Sequence, residues 1–240
     1  FSLAVLLYML LTRHHPLKGR LELAIRCLDE PARRRLYGED PLFIFDPDDG
    51  RNRPDPCEHA AALLTWPIYP VIVQDLFVQT FGSGLKAPSQ RALTGQWMEA
   101  LAFSLDQRQT CTHCGAEHFG SQLRCWSCEQ PLLASVALDA PRGRVMVCAG
   151  NSLHRHHFDG LELPRLDQPI GRVVNHPSDP ALLGLCNLSQ QPWQATAADG
   201  QIHGVQPGKT CNLAALHRLD TPWGEVRLAP ASGENTSTRS

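Results

Sequence analysis

The stretch Cys111–Cys128, CTHCGAEHFGSQLRCWSC, contains two Cys-x-x-Cys pairs with ten residues between them. Two residues between cysteines allow both thiolates of a tight turn to face one cation, and a second such turn completes a tetrahedron. We therefore predict a zinc ribbon over residues 107–131 with a structural Zn²⁺ held by Cys111, Cys114, Cys125 and Cys128. Because four thiolates leave no position for water, this zinc is not expected to be catalytic.

Two alternatives to this ligand set remain open from the sequence. The pairs could be redox-active or free dithiols, and His113 or His118 could replace one of the thiolates. The nine cysteines are an odd number, and no signal peptide is recognisable, which favours free thiols in a reducing compartment over disulfides. We therefore expect a cytoplasmic protein.

Charge argues against a nucleic-acid partner. The chain of 240 residues has a net charge of −2, which creates no long-range attraction to phosphate. Within the predicted ribbon, Glu117 and Glu129 oppose Arg124, so there is no basic surface. A ribbon of this kind is expected to dock proteins or to act as a spacer.

On the N-terminal side of the ribbon, residues 1–105 have helical patterns. Phe1–Thr12 carries no charge, but twelve residues span only about 18 Å, whereas a bilayer core needs about 20 helical residues. We therefore expect no membrane segment, but a helix buried on all sides, in a chain that is a fragment with partners upstream. Further helices are predicted within residues 17–38, 69–81 and 95–105.

On the C-terminal side, residues 135–229 have the pattern of a β-sandwich or barrel. Short alternating runs at 143–150, 156–164, 170–177 and 224–230 are separated by turns rich in Gly, Pro and Asp. Residues 230–240 are small and polar and are expected to form a disordered tail. The predicted class is thus multidomain α+β, with a helical part, a four-cysteine ribbon and a β-sandwich.

A second group of metal-binding side chains is formed by His154, His156 and His157. On a strand the first two would share one face, but no carboxylate or cysteine nearby in the sequence completes a ligand set. These residues are therefore interpreted as surface or interface histidines.

The first 105 residues resemble part of a known enzyme family. Phe1-Ser2-Leu3-Ala4 and the apolar run after it are similar to the central helix of the C-lobe in bacterial eukaryotic-like serine/threonine protein kinases, which opens D-x-[WYF]-S-x-G. Thr12 to Leu17 is similar to the exit of that helix, and Arg91 lies where the family has an Arg-Pro before its last helix. The chain departs from the pattern at Ala4, Arg13 and Ala92.

This resemblance implies a parent kinase that phosphorylates proteins with ATP and Mg²⁺. It also implies that Arg91 forms a buried ion pair with a Glu upstream of Phe1, which would leave the cation unpaired here. The family's Gly-rich loop, ATP-anchoring Lys, H-R-D loop and D-F-G motif do not occur in the chain, so it is expected to have no catalytic residues and no activity by itself. The cysteine ribbon resembles that of kinases in tellurite-type stress clusters, which implies a cognate phosphatase or von Willebrand-A protein as partner, besides protein substrates.

The strand-rich part resembles the second half of a forkhead-associated (FHA) domain. Asn187-Leu188-Ser189 is similar to the family's D-L-x-S, Val205–Gly208 to its Pro-Gly turn, and Ile170–Arg172 to its G-R. The resemblance implies phosphothreonine binding, with Arg172 and Ser189 as candidate contacts. The family's S-R-x-H is missing, so a purely structural sandwich is the alternative, and a non-enzymatic protein-interaction adaptor is the alternative function for the whole chain.

Overall fold

The computed structural model describes residues 1–132, 134–159 and 164–231. The chain combines helices with antiparallel sheets and divides into two compact units, Phe1–Ala100 and Leu101–Ser240. The mixed α+β class expected from the sequence is confirmed.

The first unit is built from short helices. Their bounds are α1 Ser2–Thr12, α2 Arg20–Leu23, α3 Glu30–Arg34, α4 Ala60–Thr65, α5 Val71–Phe81, α6 Ser83–Lys86 and α7 Thr94–Asp106, and α7 continues into the second unit. The helices predicted within residues 69–81 and 95–105 are present. Residues 17–38 hold two short α-helices, the second of which continues into a π-helical turn at Arg35–Glu39. The Asp29 carboxylate accepts a hydrogen bond from the Ala32 N–H at 3.0 Å and so begins the second helix.

Aromatic side chains form the core of the first unit. Tyr8 is fully buried and makes edge-to-face contacts with Phe43 and Phe77, at ring-centroid distances of 5.6 and 5.2 Å. Phe81 and Trp97 belong to the same cluster. Since α1, α5 and α7 each contribute a ring, this core holds the helices of the unit together.

Helix α1 is not buried on all sides as predicted. Among its residues only Ala4, Tyr8 and Thr12 are buried, whereas Leu6 and Leu10 are 56% and 69% exposed. Residues four apart lie on one face of a helix, so α1 packs through a single stripe although both of its faces are apolar. In the part of the chain that the structure describes, no helix has the length and apolar character needed to cross a membrane.

The second unit contains three antiparallel sheets. Strands β1 Arg108–Thr110 and β2 Glu117–Phe119 form a two-stranded sheet in the ribbon. The other strands are β3 Val136–Ala140, β4 Gly143–Met146, β5 Ser152–Leu153, β6 Gly171–His176, β7 Asp179–Asn187, β8 Trp193–Ala197, β9 Ile202–Val205, β10 Thr210–Asn212, β11 Leu216–Thr221 and β12 Gly224–Pro230. They form a four-stranded sheet in the order β10-β7-β6-β5 and a six-stranded sheet in the order β4-β3-β12-β11-β8-β9.

The four- and six-stranded sheets share one hydrophobic core. Leu138, Leu219 and Trp193 enter it from the six-stranded sheet, and Leu185 enters it from the four-stranded sheet. A Cβ atom at Gly171 would lie 2.9 Å from the Trp193 ring, so glycine is required there for the indole to pack. The two sheets are thus joined by close packing around one large aromatic side chain.

The predicted strand runs agree with the structure except in one place. The runs at 143–150, 170–177 and 224–230 contain β4, β6 and β12. The run at 156–164 begins in a 3₁₀ turn, Arg155–His157, and its residues 160–163 lie outside the described residues. At the C-terminus β12 includes Pro230, and Ala231 is buried and donates its N–H to the Ser135 carbonyl at 2.8 Å. Residues 232–240 of the predicted tail lie outside the described part of the chain.

We predict that Asn52→Ala destabilises the first unit by about 2–3 kcal/mol, because Asn52 is fully buried and joins three backbone segments. Its amide donates to the Leu17 and Leu42 carbonyls at 3.0 and 2.8 Å and accepts from the Leu21 N–H at 3.3 Å. Urea unfolding of the full chain measures the loss. Ser89→Ala, at an exposed position, is the control, and equal stability of the two variants would contradict the prediction.

Candidate metal centre

The two Cys-x-x-Cys segments adopt the same backbone turn. In the first, the Gly115 N–H donates to the Cys111 carbonyl at 2.9 Å, and in the second the Glu129 N–H donates to the Cys125 carbonyl at 2.9 Å. Gly115 and Glu129 both have positive φ, of 76° and 58°, which bends the chain back after each pair. Each turn therefore presents its two sulfurs on one side.

The four sulfurs form one cluster. All lie within 4.8 Å of one another, with Cys111 and Cys128 Sγ 3.8 Å apart and Cys114 and Cys125 Sγ 3.6 Å apart. A tetrahedral site with Zn–S bonds of about 2.3 Å requires sulfurs about 3.8 Å apart, so the cluster has the size of such a site. The four cysteines can therefore hold a metal ion, and their donor set is that of structural zinc.

Backbone hydrogen bonds favour the thiolate form of Cys125, whereas at Cys128 the hydrogen bond from the Gln130 backbone is outweighed by desolvation and the neighbouring cysteines, which raise the pKa of that thiol. The backbone N–H groups of Cys128 and Ser127 face the sulfur of Cys125 and lower the pKa of its thiol to about 7. A thiolate is the form that binds metal.

The two histidines considered as alternative ligands do not belong to the cluster. His118 is buried on β2, where desolvation lowers the pKa of its imidazole, and His113 is exposed. Trp126 donates its Nε1–H to the Glu117 carbonyl at 2.7 Å and so ties the second turn to β2.

A segment that we call the strap, residues Asp106–Thr110, attaches the ribbon to the larger sheets. Asp106 Oδ2 lies 3.0 Å from His157 Nε2, and the Gln107 side chain donates to the Arg144 carbonyl at 3.3 Å. Both contacts reach across to the β3–β5 region of the unit. The strap is thus anchored from its first two residues onward.

Asn151 provides the next anchor of the strap. This residue is 4% exposed, and its amide donates to the carbonyls of Arg108 and Met146 at 2.8 and 2.9 Å. Its oxygen accepts from the Arg108 guanidinium at 3.3 Å. Because Asn151 saturates its hydrogen bonds inside the protein, it fixes β1 against the loop between β4 and β5.

Of the three residues interpreted as surface or interface histidines, His154 and His157 do not lie at the surface, and His156 is half-buried. His157 and His154 are 2% and 6% exposed, and the three lie on or beside a 3₁₀ turn instead of a strand. The carboxylate thought to be missing is supplied by Asp106, whose Oδ2 lies with ligand atoms of His156 and His157 within 4.8 Å. Asp106 is 51 residues away from His157, so no local pattern could reveal the pair.

The hydrogen bonds of His157 argue against a metal at this second cluster. The His154 N–H donates to His157 Nδ1 at 3.0 Å, so the ring proton of neutral His157 resides on Nε2. Nε2–H then donates to Asp106, and its lone pair is not available to a cation. We therefore interpret the Asp106–His157 pair as a structural contact.

Arg91 is not the buried, unpaired cation that the kinase resemblance implies. It is half-buried, its Nε donates to the Gly84 carbonyl at 2.8 Å, and its guanidinium lies 4.8 Å from the centre of the Phe1 ring. The described residues contain no ion pair of Arg91. Cation–π contact and a backbone carbonyl therefore satisfy this charge.

The candidate phosphopeptide contacts have intramolecular partners. Arg172 is exposed on β6, and its Nε lies 3.4 Å from Ser152 Oγ. Ser189 Oγ donates to Oδ1 of the buried Asn187 at 2.7 Å, inside the turn that follows β7. A phosphate that contacted Ser189 would have to replace this bond.

We predict that the full chain binds about one zinc and that Cys125→Ser abolishes tight binding, because three thiolates cannot complete the tetrahedron. Metal content after dialysis, measured by inductively coupled plasma mass spectrometry, tests this. Cys27→Ser removes an exposed cysteine outside the cluster and serves as the control. Equal zinc content in the two variants would refute the assignment.

A second prediction separates backbone strain from packing in the two turns. A Cβ atom at Gly115 would have no neighbour within 4 Å, so Gly115→Ala is expected to cost about 1 kcal/mol through its positive φ alone. Glu129→Gly, at the matching position, should cause no loss, because glycine adopts that conformation without strain. Denaturant unfolding in the presence of zinc compares the two, and a larger loss for Glu129→Gly would exclude this explanation.

No protein-family model matches the chain, and no curated protein or solved structure matches it.

Proposed function

We propose that this chain is the non-catalytic, C-terminal part of a serine/threonine protein kinase and that its later modules dock proteins. The observation that carries the proposal is helix α1. Its sequence is similar to the family's central helix, one stripe packs in the aromatic core, and apolar Leu6 and Leu10 stay exposed on another face. In a complete C-lobe, other parts of the domain would cover such a face.

In this proposal the second unit is the docking module. The four-cysteine ribbon, for which zinc is the proposed metal, is held by the strap against two sheets that share one core. The shared core supports a sandwich that resembles a forkhead-associated domain. In this proposal the module binds protein substrates, and a cognate phosphatase or von Willebrand-A protein is a further candidate partner. ATP and Mg²⁺ would be bound only by the catalytic half of the parent kinase.

A non-enzymatic adaptor is the second candidate function. It is favoured by the core and the cysteine cluster of the second unit, whose described members all belong to that unit. In that case the helical unit is a scaffold, and binding of protein partners is the whole activity.

The coding sequence upstream of Phe1 distinguishes these candidates. We predict that it encodes the H-R-D and D-F-G motifs and that the longer chain transfers the γ-phosphate of ATP to protein, whereas the present chain does not. Incorporation of labelled phosphate into a mixed protein substrate measures the activity. Absence of both motifs would exclude the kinase and leave the adaptor.

The docking role has its own test in the longer chain. Disrupting the ribbon with Cys125→Ser should reduce phosphorylation of protein substrates severalfold while leaving phosphorylation of a short peptide unchanged. The matched control is Cys27→Ser. Equal loss on both kinds of substrate would mean that the ribbon supports the catalytic domain itself and does not dock substrates.

A further inference from the structure

Three imidazole rings lie together where the strap meets the larger sheets. The ring of His156 is centred 4.1 Å from that of His157 and 5.4 Å from that of His154, and the remaining pair is 5.9 Å apart. Asp106, the first residue of the strap, bonds to the His157 ring. The rings therefore form part of the contact that holds the strap in place.

The hydrogen bonding of this cluster is incomplete. Both ring nitrogens of His156 and Nδ1 of His154 are buried, and the described residues give these atoms no side-chain hydrogen bond. His157 has its two nitrogens satisfied by the His154 N–H and by Asp106. A proton added to His156, or to Nδ1 of His154, would thus be placed on a desolvated ring for which the described residues offer no acceptor.

The charged groups around the rings do not compensate such a proton equally. The other two rings and Arg172 on β6 oppose a charge on His154, and among the described residues Asp167 favours it. Arg108 of the strap lines the same small cavity as His154. His156 is opposed by His157 and favoured by Asp106 on α7 and by Asp159, which is already paired with Arg155.

We propose that His154, His156 and His157 form an acid-sensitive latch, which holds the strap closed while the rings are neutral and releases it when His154 and His156 take up protons. Charging two stacked rings at 5.4 Å would add repulsion to the cost of desolvation. Opening exposes the rings to water and relieves both costs.

The direction of the pH dependence follows from the closed state. Burial, followed by the charges of His157 and His156, lowers the pKa of His154 to about 4, and burial also lowers the pKa of His156. An exposed imidazole has a pKa of about 6.5, so the open state binds protons first. The closed state is therefore fully favoured above about pH 6.5 and loses that advantage as the pH falls towards 4.

Hydrogen–deuterium exchange of the zinc-loaded full chain tests the latch. After correction for intrinsic exchange rates, protection of residues 104–110 and 150–158 should fall by about tenfold or more between pH 7 and pH 5. Protection of β11 and β12, the two central strands of the six-stranded sheet, should stay constant. Equal protection of residues 104–110 at both pH values would overturn the proposal.

Two pairs of variants make the test specific to these rings. The double variant His154→Phe, His156→Phe keeps aromatic packing but cannot take up protons, so its strap should show no pH response. His203→Phe, His217→Phe removes two exposed histidines and should respond like the unaltered chain. If the first double variant does not fold, His156→Phe alone should reduce the response, and an unchanged response in it would overturn the latch.

Zinc content measured in the same samples separates the latch from loss of metal. The proposal requires that the strap opens at a pH where zinc is still bound. Opening that occurs only together with zinc release, and equally in both double variants, would assign the effect to the cysteines and would overturn the proposal. Because the readout is local exchange, its failure is independent of whether the chain belongs to a kinase.

Discussion

The position of the strap depends on the buried hydrogen bond between Asp106 and His157. This bond joins the end of helix α7 to the 3₁₀ turn that follows β5, across 51 residues of sequence. A carboxylate that is largely removed from water needs a strong partner, and the His157 N–H provides one. The position of the strap, and with it that of the ribbon, follows from this contact together with the anchor at Asn151.

The ribbon can be small because its two turns contribute little besides sulfur and backbone geometry. Two turns of the same shape bring four thiols within 4.8 Å, and a bound cation would replace the hydrophobic core that so short a segment cannot form. The larger sheets, by contrast, are joined around Trp193 and need no metal. The strap thus connects the ribbon, whose stability would depend on a bound cation, to the two larger sheets, whose stability depends on packing.

The first unit shows a different relation between composition and burial. Its core is a cluster of aromatic rings around Tyr8, and α1 contributes to it through one stripe of residues. On the other face of α1, apolar side chains such as Leu6 and Leu10 remain exposed, because the described residues of this unit do not cover them. Composition measures whether a helix can be buried, whereas the neighbours that are present decide how much of it is.

The sequence by itself determined the features that depend on residues close together in the chain. The four cysteines, helices α5 and α7 and strands β4, β6 and β12 could be predicted, because ligand spacing and side-chain periodicity are local properties. Only the tertiary structure decided that Asp106 completes the contacts of His157, that Arg91 packs on Phe1, and that the Ser189 hydroxyl bonds to Asn187. The Asp106–His157 and Arg91–Phe1 contacts join residues that are distant in sequence. The Ser189–Asn187 bond is local, but it occupies the Ser189 hydroxyl that was expected to contact a ligand. In the first two cases the partner is selected by the packing of sheets and helices, which no short stretch of sequence records.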